Sequence, residues 1–264
     1  MILRLVIGAA LAAIVAAAAT RARMLSPTGA IAAAIVGTAA VAAGWSWGIV
    51  LVVFFVLTST LSLSGAERKR VLTRGILAKE STIRDATQVL ANGEVFAMAG
   101  ILWLGTADPL FLAAGGGAIA ASAADTWATE TGIAFGGVPR SIISWRPMTR
   151  GASGGVTVAG LAGAVAGAAA MAATMLLIGW PRTVAVAALL AGVLGMVIDS
   201  VLGATLQARR FCADCRSETE RPVHHCGRPT QLIGGVSWIE NDLVNMLATL
   251  SGAVIAGIFF VVGS

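Results

Sequence analysis

The chain has 264 residues, of which 57% are hydrophobic and 12% are charged, and its net charge is +5. Soluble domains carry about 25% charged residues, so this composition excludes a soluble globular enzyme, a DNA-binding domain and a disordered chain. It indicates an integral membrane protein in which nearly every residue lies in the bilayer or close to it.

Continuous apolar runs predict eight membrane-spanning helices, because one span needs about 20 apolar residues. In chain order the predicted spans are 2–20, 28–44, 46–64, 88–105, 109–125, 155–179, 183–205 and 240–262. The runs do not alternate with polar residues, which excludes a closed barrel of strands. The predicted fold is an all-α polytopic transmembrane bundle that forms a single integral-membrane domain over residues 1–264.

Basic residues collect in alternate loops of this arrangement. Sixteen of the 18 lysines and arginines follow spans one, three, five and seven, and only Arg4 and Arg182 fall on the other side. Cytoplasmic loops carry such an excess. We therefore predict cytoplasmic loops at 65–84, 131–155 and 206–238, both termini outside, and a location in the cell (inner) membrane.

Acidic residues lie at the predicted cytoplasmic ends of several spans. Asp85 and Asp242 lie near helix N-termini, where the helix dipole favours an anion, so capping or pairing with loop arginines explains them as well as a function does. Asp125 and Asp199 end their spans, where the dipole disfavours an anion by roughly 0.3–1 kcal/mol. A cation must compensate, either an arginine or Mg²⁺ with phosphate oxygens. We predict that Asp125 and Asp199 belong to a metal–phosphate site.

A glycine-rich turn precedes the sixth span, in the stretch Gly151-Ala-Ser-Gly-Gly-Val-Thr157. Such a turn offers free N–H groups and the positive end of a helix dipole to a phosphate, and Arg140, Arg146 and Arg150 add positive charge. The spacing matches neither a Walker loop nor a dinucleotide fingerprint. An ordinary glycine-rich loop that obeys the positive-inside rule fits as well. Beside carboxylates on the same membrane face, the turn favours phosphoryl transfer.

The last predicted cytoplasmic loop contains three cysteines and both histidines of the chain. Four of these side chains are candidate zinc ligands: Cys212, Cys215, His224 and Cys226. The second pair is more tightly spaced than in common zinc fingers. A structural zinc knuckle and reduced thiols without a ligand are both compatible with this pattern.

Seven short motifs, in order along nearly the whole chain, resemble the integral-membrane family of the chloroplast phytyl-phosphate kinase of tocopherol synthesis and the eukaryotic transmembrane protein 19. The motifs are Gln88-Val-Leu-Ala-Asn-Gly93, Ala124-Asp-Thr-Trp-Ala-Thr-Glu130, Pro139-Arg140, Gly151 to Thr157, Asp199-Ser-Val-Leu-Gly-Ala204, His225-Cys-Gly227 and Trp238 to Asn245. The resemblance implies an intramembrane kinase that converts a prenyl (phytyl-like) monophosphate to the diphosphate. Its phosphoryl donor would be a nucleoside triphosphate, CTP in the plant pathway, with Mg²⁺.

The resemblance also implies roles for single residues of this chain. Asp125, Asp199 and Asp242 would be catalytic, and Asp125, Glu130 and Asp199 would hold Mg²⁺. The residues that would bind phosphate or nucleotide are Asn92, Arg140, Arg150, Ser153, Gly154, Gly155, Asn241 and Asn245. The prenyl tail is expected between small-residue helices, such as at Gly163-x₃-Gly167. No nucleic acid partner is expected.

The alternative function is a membrane transporter that uses the acidic cluster, because intramembrane acids and glycine-broken helices also serve transport. A transport path needs polar groups on both sides of its barrier. Here the acids lie at one membrane face and the outer half of each span is nearly uncharged. The pattern therefore favours the kinase.

Overall fold

The computed structural model describes residues 2–77 and 82–263, and these residues form an all-α polytopic bundle with two small sheets. The helices are α1 (Ile2–Arg21), α2 (Pro27–Ala43), α3 (Trp45–Leu63), α4 (Ala66–Leu72), α5 (Ala86–Thr106), α6 (Pro109–Phe135), α7 (Val158–Leu177), α8 (Arg182–Thr205) and α9 (Asn241–Gly263). The predicted fold class is confirmed. Eight helices fall on the eight predicted spans, and α4 is an additional short helix in the first predicted loop.

Length and composition suit six of the described helices to crossing a membrane, namely α1, α3, α5, α7, α8 and α9. Helix α2 is apolar but has only 17 residues. Helix α6 has 27 residues, but it carries Asp125, Glu130 and three consecutive glycines. Eight spans with both termini outside therefore stay a prediction.

The largest disagreement with the predicted boundaries concerns α6, which continues to Phe135 instead of ending at Asp125. It continues because α7 packs closely on its second half: Thr131 Oγ1 lies 3.1 Å from the Ala159 carbonyl oxygen. Asp199 likewise lies more than one turn before the end of α8 at Thr205. The helix dipole acts within the last turn only. The prediction that both carboxylates lie at helix C-termini is therefore wrong.

Helix α6 is the centre of the bundle and packs against α5, α7, α8 and α9. Small residues allow this close packing, as expected of helices within a membrane. A Cβ atom added to Gly117 would lie 2.3 Å from the carbonyl oxygen of Gly252 on α9, and one on Gly195 would lie 2.6 Å from Ala121 Cβ. Glycine therefore allows the closest helix contacts at the centre of the fold.

Side-chain caps fix where the helices begin. Asp85 Oδ1 accepts a hydrogen bond from the Gln88 amide at 3.0 Å, and Gln88 Oε1 accepts one from the Asp85 amide at 3.1 Å. This reciprocal pair is a capping box. The capping interpretation of Asp85 is confirmed. At the opposite end of the molecule, Asp108 caps α6 by accepting a hydrogen bond from the Leu110 amide at 2.9 Å.

The three predicted cytoplasmic loops come together at one end of the bundle, apart from residues 78–81, which lie outside the described part of the chain. Strand β1 (Arg140–Ser141) pairs antiparallel with β2 (Gly155–Val156). A three-stranded antiparallel sheet has the order β4 (Ser217–Thr219), β3 (Arg209–Cys212), β5 (Gln231–Gly234). Its β4 edge contacts the first loop, where the Glu220 amide donates to the Ile76 carbonyl at 2.9 Å. These strands were not predicted.

Candidate active site at the polar end of the bundle

A cavity of about 340 Å³ lies where the three loops meet the helix ends. Eleven of the twelve residues predicted for catalysis, Mg²⁺ or phosphate line this cavity: Asn92, Asp125, Glu130, Arg150, Ser153, Gly154, Gly155, Asp199, Asn241, Asp242 and Asn245. They come from α5, α6, α8, α9 and the loop before α7. The fold therefore brings together residues that lie as many as 153 positions apart in the sequence.

Arg140 is the predicted residue that does not line the cavity. It is exposed in β1, and its Nη1 donates to the Trp145 carbonyl oxygen at 2.9 Å. Arg146 is likewise exposed and lies outside the lining. The positive charge that these two arginines supply is therefore on the outer side of the loop.

Asp125 and Asp199 face each other across the interface of α6 and α8, close enough for a side-chain hydrogen bond between their carboxyl groups. Asp199 Oδ1 is buried and has no hydrogen-bond partner among the described residues. The negative charge of Glu220 also acts on Asp199. Adjacent carboxylates repel each other unless a cation or a shared proton lies between them. A buried, unpartnered carboxylate oxygen beside a second carboxylate fits a divalent cation.

Glu130 is held by Lys69, a residue that sequence analysis did not select. Lys69 Nζ forms an ion pair with Glu130 and donates to the carbonyls of Leu61 and Ser62, each at 2.9 Å. These carbonyls belong to the last turn of α3, where a cation is favourable. All three ammonium protons are therefore used within the protein. Lys69 resembled any other member of the basic run 68–70, so no local signal distinguished it.

Arg84 lies in the cavity wall directly before the capping box of α5. Burial lowers the pKa of Arg84, and the charge of Glu130 partly opposes this. Its Nη1 lies 3.3 Å from Thr58 Oγ1, which is the one side-chain hydrogen bond that its guanidinium makes within the described residues. A guanidinium has five N–H donors. Arg84 thus has donors left for an anionic ligand. In the sequence it is one of several basic residues of the first loop, and no local signal distinguishes it.

Asn92 and Asp242 are held by neighbours on other helices. Asn92 Oδ1 accepts a hydrogen bond from Ser122 at 2.7 Å, so α5 and α6 are joined at the cavity. Thr87 Oγ1 lies 2.6 Å from Asp242 Oδ2, which joins α5 to the first turn of α9. These contacts fix the orientation of both side chains toward the shared space.

The glycine-rich turn before α7 presses against α8. Gly154 has a φ of +79°, and a Cβ atom added there would lie 2.6 Å from the backbone nitrogen of Ala204. Ser153 donates a hydrogen bond to Glu220. Thr157 caps α7 by accepting from the Gly160 amide at 2.9 Å. Thr157 and Gly160 line the cavity, so the start of α7 borders it.

Arg150 connects the glycine-rich turn to the end of α6. Its Nη2 and Nε donate to the Gly137 carbonyl at 2.8 and 3.1 Å, and its Nη1 donates to the Ile133 carbonyl at 3.3 Å. These carbonyls lie at the C-terminal end of α6, which favours a cation. Arg150 lines the cavity, but most of its donors bind the backbone.

The predicted zinc ligands form a compact cluster next to the cavity. The ligand atoms of Cys212, Cys215, His224 and Cys226 all lie within 4.8 Å of one another. Cys212 Sγ and Cys226 Sγ are 3.7 Å apart, and His224 Nδ1 is 3.3 Å from Cys226 Sγ. A hydrogen bond with Cys226 raises the pKa of the Cys215 thiol to about 11, and the Arg228 backbone lowers the pKa of Cys226.

The stretch predicted to hold a prenyl tail is closed in the structure. A Cβ atom added to Gly163 would lie 2.6 Å from the Trp127 carbonyl oxygen, and one on Gly167 would lie 2.8 Å from the Ala123 carbonyl oxygen. These glycines serve the contact of α7 with α6. The expectation of a tail site there was wrong, because small residues allowed the helices to close the space.

Comparison with known proteins places the chain among integral membrane proteins. The family model for integral membrane protein DUF92 matches residues 10–253. Protein PGR of Arabidopsis thaliana is 30% identical, over 94% of this chain and 93% of its own length. An uncharacterized membrane protein of Methanocaldococcus jannaschii is 24% identical, over 82% of this chain and 77% of its own length. No solved structure matches this chain significantly.

Proposed function

Because the chain belongs to the DUF92 family of integral membrane proteins, we propose that it is a membrane kinase that phosphorylates a prenyl monophosphate to the diphosphate. The phosphoryl donor is a nucleoside triphosphate, with CTP the expected one, and the metal is Mg²⁺. One observation above all supports this proposal: the adjoining carboxyl groups of Asp125 and Asp199, with a buried unpartnered oxygen, open into a polar cavity that also contains Arg84 and the start of α7.

The reaction suits a cavity that has no histidine among its described lining residues. A terminal phosphate oxygen of the acceptor attacks the γ-phosphorus, and the bond from that phosphorus to the β,γ-bridging oxygen breaks. The products are the prenyl diphosphate and a nucleoside diphosphate. The attacking oxygen is already anionic, so no strong general base is needed. What the protein must supply is alignment of two anions and neutralisation of their charge.

The residues of the cavity divide this work. Asp125 and Asp199 would hold Mg²⁺, which neutralises charge on the β- and γ-phosphates when it is bound. Arg84 donates its remaining N–H groups to the acceptor phosphate, and the backbone at Gly154 and Gly155 binds the donor phosphates at the start of α7. Glu130 is neutralised by Lys69 and shapes the wall, and its role as a metal ligand remains a prediction.

The cavity faces the cytoplasm of the cell in this proposal. The three loops that surround it contain 14 of the 18 lysines and arginines, and such loops are cytoplasmic in membrane proteins. The cytoplasm is also where a nucleoside triphosphate is available. The membrane would be the cell (inner) membrane, with the lipid substrate dissolved in it.

A zinc ion is the second cofactor in our proposal, with a structural role. A tetrahedral site with Zn–S of about 2.3 Å and Zn–N of about 2.0 Å separates two sulfurs by about 3.8 Å, and a sulfur from a nitrogen by about 3.5 Å. The distances of 3.7 and 3.3 Å observed at Cys226 agree with these values. His224 Nε2 lies 3.4 Å from Ser217 Oγ, the kind of second partner that orients a ligating histidine.

This centre would secure the wall of the cavity. It joins β3, the turn between β3 and β4, and the segment 224–226, and Glu220 directly follows β4. Glu220 in turn accepts a hydrogen bond from Gln207 at 3.1 Å and one from Ser153. The zinc site therefore holds a residue that fixes the phosphate loop, without taking part in the reaction.

The proposed kinase is tested with detergent-purified protein, Mg²⁺, γ-labelled CTP and geranylgeranyl monophosphate. We expect labelled diphosphate that requires Mg²⁺, and a loss of at least about 100-fold in Asp125→Asn and Asp199→Asn. Asp108→Asn is the matched control, because Asn also caps helices and residue 108 lies at the opposite end of α6. Full activity in both site variants would refute the metal assignment. Absence of nucleotide binding in folded protein would favour the transporter.

A further inference from the structure

An apolar cleft of about 290 Å³ lies beside the polar cavity, between α1, α2, α3 and the first turns of α5. Aliphatic and aromatic side chains form most of its wall, among them Leu11, Val15, Ile49, Val52 and Phe55. Among the described residues that line it, the polar ones lie only at the end formed by α5 and the segment before it. The cleft is therefore a space for hydrocarbon with a single polar end.

That polar end is shared with the candidate active site. Arg84, Gln88 and Asn92 line both the apolar cleft and the 340 Å³ cavity. They lie at the start of α5, where Arg84 retains unused N–H donors and Asn92 is fixed by Ser122. The two spaces therefore adjoin at a cation, which is the arrangement that an amphiphile with an anionic head and an apolar chain requires.

The other side of the cleft opens to the surface that α1 and α3 present to lipid. Leu11, Val15, Ile49 and Val52 line the cleft and are also 44%, 40%, 46% and 44% exposed. Helices α1 and α3 each pack on α2, and both are long and apolar enough to cross a membrane. A hydrocarbon chain can therefore enter sideways from the bilayer without passing through water.

We propose that the acceptor of the reaction is a long-chain isoprenoid monophosphate whose chain lies in this cleft and whose phosphate binds at Arg84. This inference rests on the proposed kinase function and adds the position and chain length of its lipid substrate. The chain contacts α1, α2 and α3, while the nucleotide approaches the same cavity from the loops. Lipid and nucleotide thus arrive by separate routes, and their phosphates meet beside Asp125 and Asp199.

Two valines of α3 provide a matched test. Val52 lines the cleft and is 44% exposed, whereas Val56, one turn later, is 51% exposed and lines neither space. Both positions accept a larger side chain without disturbing the core. We expect Val52→Trp to lower kcat/KM for geranylgeranyl monophosphate at least about tenfold, since tryptophan fills space that several methylenes of the chain would occupy. For dimethylallyl monophosphate, whose chain is much shorter, and for CTP we expect no change.

Val56→Trp should behave as the wild type with all three substrates. The inference is overturned if Val52→Trp and Val56→Trp are alike with the long-chain acceptor, or if Val52→Trp lowers activity equally with both acceptors. The inference is supported if wild type and Val56→Trp prefer the longer acceptor and Val52→Trp alone loses this preference.

A binding measurement separates failure of this inference from failure of the kinase proposal. The probe is an alkyl monophosphate with a photoactivatable diazirine in the middle of its chain, added to purified protein without nucleotide. We expect crosslinks on α1, α2 and α3 that geranylgeranyl monophosphate suppresses. Crosslinks there without any phosphoryl transfer would refute the kinase and retain the lipid-phosphate site. Phosphoryl transfer with crosslinks confined to other helices would refute binding of the chain in the cleft and leave the kinase proposal standing.

Discussion

Two glycines of one loop distinguish the proposed phosphate loop from an ordinary glycine-rich connection. Gly137 and Gly154 both have left-handed backbones, with φ of +69° and +79°. A Cβ atom added to Gly137 meets no described atom within 4 Å. A Cβ atom added to Gly154 would lie 2.5 Å from the Ala204 Cβ and 2.6 Å from its backbone nitrogen. Replacing each glycine with alanine therefore separates backbone strain from steric conflict with α8.

The magnitude follows from these contacts. Left-handed backbone costs a residue with a Cβ roughly 1–2 kcal/mol, and both variants share this cost. The conflict with Ala204 adds about 1–3 kcal/mol in Gly154→Ala, because backbone atoms cannot rotate away. We expect unfolding free energy to fall by about 1–2 kcal/mol in Gly137→Ala and about 2–5 kcal/mol in Gly154→Ala.

Activity should separate the two variants more sharply than stability. Relief of a 2.5 Å contact requires the loop to move by about 1 Å, and a displacement of that size can lower a rate about 100-fold. Ser153 and Gly155 would move with Gly154, and both line the cavity. Thermal unfolding in detergent and label transfer from CTP measure the two effects. If Gly154→Ala matches Gly137→Ala in both assays, the proposed contact between this loop and α8 is not what positions the phosphates.

Three further predictions concern the surroundings of the cavity. Cys212→Ser should reduce the bound zinc from one ion per chain to a small fraction, as measured by plasma mass spectrometry. Equal zinc content in wild type and variant would contradict the zinc site. Lys69→Met should lower the unfolding free energy by about 3 kcal/mol, because Glu130 loses its partner in a largely buried ion pair. Adding Glu130→Gln to this variant should recover part of the loss. Strictly additive losses of the two substitutions in thermal unfolding would argue against the ion pair. Asp85→Asn should retain stability and activity, since Asn also caps a helix, whereas Asp85→Ala should lose about 1 kcal/mol of unfolding free energy. Loss of activity in Asp85→Asn at unchanged stability would mean that the carboxylate has a chemical role.

The helices were predictable because long apolar runs have few alternatives in a membrane. The end of α6 was not predictable, because hydropathy falls at Asp125 whereas packing against α7 stabilises the helix beyond that residue. The short strands in the last loop were also missed, since segments of three or four residues have no clear periodicity. Boundaries and small sheets therefore depended on contacts between distant segments.

Most residues of the candidate site were predictable from the sequence, but the contacts among their side chains were not. Asp125, Asp199 and Asn92 lie in motifs with several polar residues at helical spacing, and they line one cavity. Lys69 lies in the short helix α4 and Glu220 in the last loop, each among other charged residues. Their contacts form only when the chain folds back onto α3 and onto the glycine-rich turn. Charge and the family resemblance both indicate phosphate binding by Arg140 and Arg150, and the structure shows donors of each bound to backbone carbonyls.

In the proposed reaction, helix α6 would orient both the lipid and the nucleotide. Asp125 and Glu130 are five residues apart, which places them on different faces of the helix: Asp125 meets Asp199 on α8, and Glu130 meets Lys69 beside α3. Ser122, one turn earlier, binds Asn92 where the apolar cleft begins. The polar part of α6 therefore contacts Asp199 on α8, Lys69 on α4 and Asn92 on α5 in fewer than three turns. Because its other half is held by close contacts with α9, a lipid chain bound among α1, α2 and α3 and a nucleotide bound at the loops would be oriented against the same rigid helix.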